Sequence, residues 1–275
     1  MITGHSATYA LLGHPVAHSL SPAMHNAWFA AYDVDAVYVA LPVPPSAGAL
    51  VDAVRTLGLA GANVTVPHKA RVLDALDEVG PVAEACGAVN TIVRRDDRLL
   101  GYKTDADGFV RAWEEAGGLP GGTRAVVLGA GGAGRAVALG LARAGAHRVV
   151  LLNRSARSIA RLEAAAGPTT VRIAGFDAWT ELVRDADVIV NALPAAGRQL
   201  VDALDTADLS PDAWWCDLNY WDSAPPGLAR ARARGLRTLT GHGMLLHQGA
   251  LAFSRFTGIE PDPALARSFL DRTPT

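Results

Sequence analysis

Short apolar segments alternate with amphipathic segments from one end of the chain to the other. The apolar segments have the length of buried strands, and the segments between them have the hydrophobic spacing of helices. In the first part of the chain, strands are predicted at residues 9–12, 36–41 and 62–66, and helices at residues 22–31, 47–57 and 69–79. Residues 89–95 and 99–103 form a predicted hairpin that turns at Asp96 and Asp97. This alternation predicts an α/β fold with parallel strands.

The second part of the chain begins a new unit of the same kind. An apolar run enters a glycine-rich turn and an alanine-rich helix, and further strands are predicted at residues 148–152, 171–174, 186–192 and 214–218. These strands are almost wholly apolar, as in a sheet that helices cover on both faces. We therefore predict two domains with the active site in the cleft between them. Residues 1–107 form an N-terminal α/β substrate-binding catalytic domain, residues 108–242 form a Rossmann-like doubly wound dinucleotide-binding domain, and helices in residues 243–275 return to the first domain and close the cleft.

The turn after the apolar run carries a dinucleotide-binding pattern. Gly129, Gly131 and Gly134 satisfy G-x-G-x-x-G between a strand and a helix. The first glycine permits the tight turn, the second permits close approach of a pyrophosphate, and the third permits close packing of helix on strand. Glycines also serve ordinary turns that need a positive φ, but the flanking strand and helix favour dinucleotide binding. The predicted cofactor contacts here are Gly129, Ala130, Gly131, Gly132, Ala133 and Gly134.

The end of the next strand indicates which dinucleotide is bound. NAD-dependent enzymes place an acidic residue about 20 residues after the glycines to bind the ribose 2′-hydroxyl. This chain instead has Asn153, Arg154 and Ser155 there, followed by Arg157. An arginine can bind a 2′-phosphate through two parallel hydrogen bonds, so these residues predict NADP. The alternative is that both arginines are ordinary surface residues at a helix start, where cations oppose the helix dipole.

The overall composition excludes several classes of protein. Hydrophobic residues make up 50% of the 275 positions, and the formal net charge of −2 gives no electrostatic footprint for nucleic acid. No apolar run reaches the ~18 residues of a membrane span, and the N-terminal residues lack the regions of a signal peptide. Cys86 and Cys216 are far apart in apolar surroundings, which favours buried thiols in a reducing compartment over a disulfide or metal pair. We therefore predict a soluble cytoplasmic protein, and a homodimer is compatible with the sequence.

Two hydroxyls lie beside the predicted start of the first helix. Ser21 is a suitable N-cap and Pro22 suits the first helical position, so a purely capping role is one interpretation. Ser19 and Ser21 alternate around Leu20, however, and two hydroxyls beside unpaired helix N–H groups can bind a small carboxylate.

A strand with one polar face is followed by a lysine. Asn63 and Thr65 are predicted to face one side of the sheet, and Val64 and Val66 the other. Polar side chains on a buried strand are costly unless they are paired, and α/β sheets bind ligands at the carboxyl ends of their strands. We therefore predict that Asn63 and Thr65 line the substrate site together with Lys69, although a lone lysine is more often solvated surface.

Carboxylates follow at the predicted domain boundary. Asp105 or Asp107 could cap the next helix, and Asp105 could instead pair with Lys69 in a closing cleft. On a late helix, Gln248 could donate to a hydroxyl, whereas His247 is expected in the core or in solvent. No metal site is predicted, because ligand spacing is absent among His14, His18, His25 and His68.

Taken in order, these motifs resemble those of the shikimate dehydrogenase family. The matching segments are residues 18–22, 63–69, 87–91, 104–105, 129–135, 153–155, 190–192, 217–220 and 243–248. The resemblance covers nearly the whole chain. It implies NADPH-dependent, reversible reduction of 3-dehydroshikimate to shikimate by hydride transfer, in aromatic amino-acid biosynthesis.

The resemblance also implies roles for individual residues. Ser19 and Ser21 would hold the substrate carboxylate, and Lys69 and Asp105 would form the catalytic pair. The ring hydroxyls would be bound by Thr65, Asn90, Asp105 and Gln248, with Tyr220 nearby. The cofactor contacts would further include Ala192, Leu218 and Gly241.

Some positions near the expected substrate differ from the family pattern. The family usually has Asn where this chain has Lys103 and Thr or Ser where it has Leu193, and residues 220–226 differ from the common Tyr-x-Pro form. Lys103 could alter the electrostatics of the catalytic pair or point away from it. Quinate or an aminoshikimate-type compound is therefore an alternative substrate. A non-catalytic NADPH-binding regulator is a further alternative, against which the presence of both Lys69 and Asp105 argues.

Overall fold

The chain forms two compact units in the computed structural model, which describes residues 2–155, 158–220 and 225–270. One unit consists of Met1–Thr104 and Leu245–Thr275, and the other of Asp105–Met244. The predicted divisions were after residues 107 and 242. The first division falls earlier because Asp105 already begins a helix, and that helix packs within the second unit.

The first unit is built around a mixed sheet of six strands. They are β1 (Ala7–Gly13), β2 (Ala36–Pro42), β3 (Gly61–Val64), β4 (Glu78–Val79), β5 (Thr91–Arg95) and β6 (Arg98–Tyr102). Their order across the sheet is β2-β1-β3-β5-β6-β4, with β1 parallel to β2 and β3. The predicted hairpin is confirmed as the antiparallel pair β5–β6, which turns at Asp96 with a φ of 52°. It makes this sheet mixed, so the expectation of parallel strands holds here only in part.

The helices of the N-terminal segment are α1 (Ser21–Ala31), α2 (Leu50–Thr56) and α3 (Pro81–Cys86). The first two confirm predicted helices, and α2 begins later than predicted. The helix predicted over residues 69–79 is wrong. That segment forms turns, a 3-10 turn at Leu73–Ala75 and the short strand β4.

The failed helix has a physical cause in distant hydrogen bonds. The carbonyl of Lys69, which a helix would pair with an N–H four residues later, accepts the N–H of Val89 instead (2.8 Å). The N–H of Asp77 likewise donates to the carbonyl of Leu99 (3.0 Å). Tertiary pairing therefore overrides the local helical pattern.

The second unit contains a six-stranded sheet in which every pairing is parallel. Its strands are β7 (Arg124–Leu128), β8 (Arg148–Leu152), β9 (Thr170–Ala174), β10 (Val188–Asn191), β11 (Trp214–Asp217) and β12 (Arg237–Thr240). Their order is β12-β11-β10-β7-β8-β9, so the chain reverses direction across the sheet between β7 and β10. This is the doubly wound order of the predicted Rossmann-like domain. Strand β12 was not predicted, because its sequence Arg-Thr-Leu-Thr is mostly polar.

Helices cover this parallel sheet. They are α4 (Asp105–Glu115), α5 (Gly132–Arg143), α6 (Ala160–Ala165), α7 (Trp179–Leu182), α8 (Arg198–Asp202) and α9 (Pro226–Ala233). Helices α4 and α5 approach each other at Gly140, where an added Cβ would lie 2.5 Å from the carbonyl oxygen of Ala106. On one face of the sheet, Val126, Ile189 and Trp215 contribute to a buried apolar core.

The chain continues into α10 (Gly241–Thr257) and α11 (Ala264–Arg267). Helix α10 begins in the second unit and continues from Leu245 in the first. There the ring of Phe256 packs against Tyr9 of β1, with ring centroids 4.7 Å apart. The indole N–H of Trp28 donates to the carbonyl of Asp262 (3.1 Å). Residues from Leu245 onwards thus belong to the same compact unit as β1 and α1.

His25 on α1 is buried against aromatic rings. Its ring stacks on Tyr38 with centroids 4.3 Å apart and planes at 4°, and it meets Trp28 edge-on. Burial lowers the pKa of His25 from 6.5 to about 3, so the imidazole is neutral in the folded protein. The unfolded chain, by contrast, binds a proton at this residue below pH 6.5.

We expect this difference to destabilise the protein in mild acid. The contribution of His25 is fully present above pH 6.5 and is lost as the pH falls towards 3. At pH 5 the loss in the free energy of unfolding is about 2 kcal/mol. Chemical denaturation at pH 7 and pH 5 should show a smaller pH effect in His25→Phe than in the wild type. Equal pH effects in both proteins would contradict the prediction.

Candidate active site

The carboxyl ends of the central strands of the second unit lie side by side. The N–H of Gly129 donates to the carbonyl of Leu152 at the end of β8 (2.7 Å), and that of Ala192 donates to the carbonyl of Leu128 at the end of β7 (3.0 Å). Gly129 has a φ of 101°, a conformation that favours glycine. The glycine turn therefore lies at the reversal of strand order, where doubly wound sheets bind ligands.

The later glycines of the turn have different surroundings. A Cβ on Gly134 would clash with the carbonyl oxygen of Gly129, so glycine is needed for α5 to pack this closely on the turn. A Cβ on Gly131 would meet no heavy atom within 4 Å, and this residue is exposed. Helix α5 begins at Gly132, and its first N–H groups lack intrahelical partners. An exposed glycine with open space beside a helix N-terminus fits the pyrophosphate of a dinucleotide.

We expect Gly131→Ala and Gly134→Ala to fail in different ways. Gly131 has φ −77° and ψ −175°, which alanine adopts readily, so Gly131→Ala should keep the wild-type melting temperature. Its methyl group would enter the pyrophosphate space at a cost of about 1–3 kcal/mol, which raises the KM for NADP roughly 5- to 150-fold. Gly134→Ala should lower the melting temperature even without cofactor, because its clash is internal. Thermal melts and cofactor titrations check both, and equal melting temperatures for the two variants would contradict this account.

The segment after β8 carries the predicted contacts to the 2′-phosphate. The Nδ2 of Asn153 donates to the carbonyl oxygen of Ser155 (2.9 Å) and to its Oγ (3.3 Å). Arg154 is exposed in the same segment. Arg157 lies outside the described residues.

Sequence reasoning missed Arg135, which ties this segment to the glycine turn. Its Nε donates to the carbonyl of Ala130 (3.0 Å), and its Nη2 donates to the carbonyl of Ser158 (3.2 Å). The Oδ1 of Asn153 accepts from the N–H of Ala130 in a long hydrogen bond (3.5 Å). A signal was present in the sequence, because a cation in the first turn of a helix opposes the dipole and needs a specific partner.

The remaining predicted cofactor residues lie at the same edge of the sheet. The N–H of Leu218 donates to the carbonyl of Asn191 (3.0 Å), which aligns the segments that follow β10 and β11. A Cβ on Gly241 would clash with the carbonyl oxygen of Leu218. A Cβ on Gly129 would lie 3.1 Å from Cδ2 of Leu193 and 3.3 Å from the carbonyl oxygen of Ala192. The structure therefore brings the glycine turn and the ends of β10 and β11 together.

A polar network behind this edge was not predicted. The Nδ2 of Asn191 donates to Oδ2 of the buried Asp217 (2.8 Å), and Asn219 donates to Oδ1 through both its main-chain N–H (3.0 Å) and its Nδ2 (2.8 Å). The Nδ2 of Asn219 also donates to the carbonyl of Leu193 (3.2 Å). The network fixes the loops after β10 and β11. Its signal in the sequence is a polar residue at the end of each of two otherwise apolar strands.

In the first unit, Ser19 and Ser21 lie at the start of α1. The predicted N-cap role of Ser21 is wrong, because Ser21 is the first helical residue and Leu20 is the N-cap, without a side-chain capping bond. The Oγ of Ser19 accepts the N–H of Ser21 instead (3.2 Å). The two serines are thus neighbours at a helix N-terminus.

The segment after β3 carries Thr65 and Lys69. The strand ends at Val64, earlier than predicted, and Thr65 continues beside β1 by donating its N–H to the carbonyl of Leu12 (2.9 Å). A cis peptide bond follows between Val66 and Pro67. Lys69 is half-buried, and its main chain is bonded to Val89, the residue before Asn90. Lys69 is therefore held next to the segment that carries Asn90.

Asn90 forms hydrogen bonds with three polar residues, Thr104, Gln248 and Asn63. Its Nδ2 donates to Oγ1 of Thr104 (2.9 Å) and to Oε1 of Gln248 (3.2 Å), and its Oδ1 accepts the N–H of Thr104 (2.8 Å). Asn63 lies close by, but its side-chain amide is bonded to Tyr38, Asn90 and Thr91. The geometry therefore favours a supporting role for Asn63 over the predicted contact with substrate.

Other predicted residues have defined surroundings. Asp105 is 4% exposed at the first position of α4, directly after Thr104. Asp107 is an exposed ion-pair partner of Arg143 (3.5 Å). Lys103 is 4% exposed, so its side chain is buried and not part of the solvated surface. The ring of Tyr220 lies 6.0 Å from that of His242, and the divergent residues Trp221–Ala224 lie outside the described residues.

Family models match three consecutive parts of the chain. Their descriptions are "Shikimate dehydrogenase substrate binding domain" for residues 11–92, "Shikimate / quinate 5-dehydrogenase" for residues 116–210 and "Shikimate 5'-dehydrogenase C-terminal domain" for residues 241–268. A relative from Moorella thermoacetica, named shikimate dehydrogenase (NADP(+)), is 46% identical over 265 residues, which cover 93% of this chain and 90% of the relative. The chain belongs to the shikimate dehydrogenase family.

Solved structures of the shikimate dehydrogenase family have the same fold. The enzyme from Thermus thermophilus in complex with NADP(H) and shikimate is 36% identical, with a TM-score of 0.84 over 97% of this chain and 99% of that one. A quinate dehydrogenase from Corynebacterium glutamicum in complex with NAD is 34% identical, with a TM-score of 0.83 over 96% and 98%. The prediction of an N-terminal substrate domain with a Rossmann-like domain is confirmed.

The cysteines are buried and free, as predicted. Burial, reinforced by the Asp217 carboxylate, raises the pKa of the Cys216 thiol, so this thiol stays protonated. In the described ranges, no group of three His, Cys, Asp or Glu side chains is placed to hold a metal ion. No helix in that part of the chain combines the length and the apolarity needed to cross a membrane.

Proposed function

We propose that the chain is an NADP-dependent shikimate dehydrogenase that reversibly reduces 3-dehydroshikimate to shikimate in aromatic amino-acid biosynthesis. The observation that carries this proposal is the hydrogen bond between Asn90 and Gln248, which lie 158 residues apart in the sequence. It joins two predicted ring-hydroxyl contacts in parts of the chain that match substrate-binding and C-terminal models of the family. The glycine turn of the Rossmann-like unit supports the dinucleotide requirement.

Substrate binding is assigned to side chains of complementary chemistry. Ser19 and Ser21 bind the carboxylate at the N-terminus of α1, where the two hydroxyls and the helix dipole favour an anion. Thr65 and Gln248 bind ring hydroxyls, with Asp105 and Tyr220 completing the set, and Asn90 orients Gln248 because both N–H groups of its own amide are already bonded. The Nε2 of Gln248 donates to the carbonyl of Leu245 (2.9 Å), which leaves its second N–H for the substrate.

Lys69 and Asp105 are proposed to carry out the proton transfer that accompanies hydride transfer. When bound, NADPH supplies the hydride that reduces the ketone carbon. As the carbonyl π electrons move to oxygen, the Lys69 ammonium group donates a proton to that oxygen and becomes a neutral amine. Asp105 orients Lys69 and accepts a hydrogen bond from a substrate hydroxyl. General acid catalysis of this kind contributes about 10²–10⁴-fold in rate.

The scarcity of lysine supports this assignment. Lys69 and Lys103 are the only lysines among 25 basic Lys and Arg residues. An arginine at residue 69 would carry the same charge but could not release a proton, because the guanidinium stays protonated in proteins. Retention of lysine at this position is therefore consistent with proton transfer.

NADP is proposed to bind along the carboxyl edge of the second sheet. Gly129, Ala130, Gly131, Gly132, Ala133 and Gly134 approach the pyrophosphate, and Asn153, Arg154, Ser155 and Arg157 approach the 2′-phosphate. Ala192, Leu218 and Gly241 are placed beside the nicotinamide.

The reaction itself provides the test. The purified protein is mixed with NADPH and 3-dehydroshikimate, the NADPH absorbance is followed, and the product is identified by mass spectrometry. Loss of NADPH matched by an equal amount of shikimate is expected. Binding of NADPH without any turnover would identify the chain as a non-catalytic regulator and contradict the proposal.

Quinate is a second candidate substrate, and buried Lys103 is the observation that favours it. Quinate carries one more ring hydroxyl than shikimate, and an ammonium group can donate a hydrogen bond to such an oxygen. The lysine replaces the family's usual asparagine directly before Thr104. An aminoshikimate-type substrate is less suited to this position, because its ammonium group would repel the lysine.

We expect Lys103→Asn to shift substrate preference towards shikimate. Loss of a hydrogen bond from a charged group should change the ratio of kcat/KM for shikimate to that for quinate by about tenfold. Lys103→Met serves as the matched control, because it keeps the length of the side chain without its charge, and it should shift the ratio in the same direction. An unchanged ratio in both variants would show that Lys103 takes no part in substrate choice.

A cytoplasmic location and a homodimeric state are further proposals. Two free buried thiols suit a reducing compartment. Cell fractionation and analytical ultracentrifugation test these proposals separately from activity.

A further inference from the structure

A buried chain of hydrogen bonds leads from β2 towards the proposed substrate site. The Oη of Tyr38 donates to Oδ1 of Asn63 (2.8 Å), and Nδ2 of Asn63 donates to Oγ1 of Thr91 (3.1 Å) and to the carbonyl of Asn90 (3.1 Å). The hydroxyl of Thr91 then donates to Oδ1 of Asn90 (3.3 Å). Tyr38, Asn63 and Thr91 are at most 5% exposed, so they support the site from inside the fold.

Two main-chain groups set the orientations of the two amides: the carbonyl of Asn90 accepts from Nδ2 of Asn63 (3.1 Å), and the N–H of Thr104 donates to the side chain of Asn90. The N–H of Thr104 can only donate, so the atom of Asn90 that faces it (2.8 Å) must be the carbonyl oxygen. The Nδ2 of Asn90 must then face Oε1 of Gln248 (3.2 Å). Gln248 is consequently oriented with its Nε2 available as a donor.

We infer that Tyr38, Asn63 and Thr91 are positioning residues that hold the Asn90 side chain in place, so that Asn90 presents the remaining N–H of Gln248 to a substrate hydroxyl. The inference rests on the proposed function, because it concerns the side chains assigned to the ring hydroxyls. None of the three acts on the substrate directly. Asn63 in particular donates both N–H groups of its amide to Asn90 and Thr91.

The surroundings of Tyr38 make its hydroxyl separable from its ring. The ring stacks on His25 (4.3 Å between centroids), and Asn26 holds the main chain of Tyr38 through both its amide atoms (2.8 and 2.9 Å). Tyr38→Phe keeps these contacts and removes the donor to Asn63. The amide of Asn63 then loses one of the bonds that orient it.

The test compares Tyr38→Phe with Tyr32→Phe. Tyr32 is a matched control in the same unit. Its hydroxyl also makes a hydrogen bond, because it accepts the N–H of Asp262 (2.8 Å), but this bond is not part of the series from Tyr38 to Asn90. Steady-state kinetics should show a roughly tenfold loss of kcat/KM for shikimate in Tyr38→Phe, mainly through KM, with the KM for NADP unchanged. Tyr32→Phe should leave all three constants at wild-type values.

Thr91→Val provides a second, independent variant of similar shape. It removes the hydroxyl that links Asn63 to Asn90, and it should raise the KM for shikimate as Tyr38→Phe does. It therefore keeps the inference testable even if Tyr38→Phe does not fold. The double variant should lose no more kcat/KM for shikimate than the worse single variant, because both substitutions interrupt the same series of hydrogen bonds. Wild-type kcat/KM for shikimate in folded Tyr38→Phe and Thr91→Val would overturn the inference. Absence of shikimate oxidation in the wild type would instead overturn the proposed function.

Discussion

Lys69→Ala is expected to lower kcat for shikimate oxidation by at least about 100-fold, since general acid–base catalysis typically contributes 10²–10⁴-fold. The KM for NADP should stay near the wild-type value, because Lys69 lies in the first unit and the glycine turn in the second. The loss should appear equally in kcat and kcat/KM, as for an interaction that is strongest in the transition state. Stopped-flow or steady-state measurements of NADPH absorbance check it.

Lys69→Arg separates proton transfer from charge. It keeps the positive charge but cannot give up a proton at any working pH, so it should be nearly as slow as Lys69→Ala. If Lys69→Arg retained most of the wild-type kcat, Lys69 would act only by charge. If Lys69→Ala stayed within a few-fold of wild type, the catalytic assignment would be wrong.

Arg154→Ala is expected to raise the KM for NADP about 10- to 150-fold, because a hydrogen bond to a charged group contributes about 1.5–3 kcal/mol. The KM for NAD should hardly change, since NAD lacks the 2′-phosphate. Arg154 is exposed after β8, next to Asn153 and Ser155, whose hydrogen bonds shape this segment. Cofactor titrations at fixed shikimate concentration give both constants.

Arg184→Ala controls for the loss of one positive charge from the second unit. Arg184 is exposed in the turn Val183–Asp185 before β10, at the opposite end of that strand from the glycine turn, and it pairs with Asp208 (3.2 Å). This variant should keep the wild-type KM for NADP. Equal losses for NADP and NAD in Arg154→Ala would show that the arginine binds a part common to both cofactors, such as the adenine.

Local patterns were sufficient to predict most of the second unit. Its apolar runs correspond to parallel strands, and the steric roles expected of Gly129 and Gly134 agree with the positive φ at the first and the close contact at the second. The hairpin of the first unit was equally predictable, because a polar turn joins two adjacent strands. In these cases the residues that determine the structure are neighbours in the sequence.

The sequence failed where the deciding partner is distant. Residues 69–79 have helical spacing, but Val89 and Leu99 take the hydrogen bonds that a helix would use. Asn63 has the chemistry of a substrate contact, but Tyr38 and Thr91 occupy its amide. Ser21 is a different case with a local cause, because Ser19, two residues earlier, supplies the accepting oxygen. For Asn63, residue type indicated a polar role, and only the tertiary hydrogen bonds favour support over contact.

A single kinetic panel tests the central proposal most directly. The wild-type protein is assayed with shikimate and quinate, each with NADP and with NAD, and kcat/KM is determined for the four combinations. We predict the highest value for shikimate with NADP. A higher value for quinate, or for NAD with shikimate, would contradict the assignment of this chain as an NADP-dependent shikimate dehydrogenase.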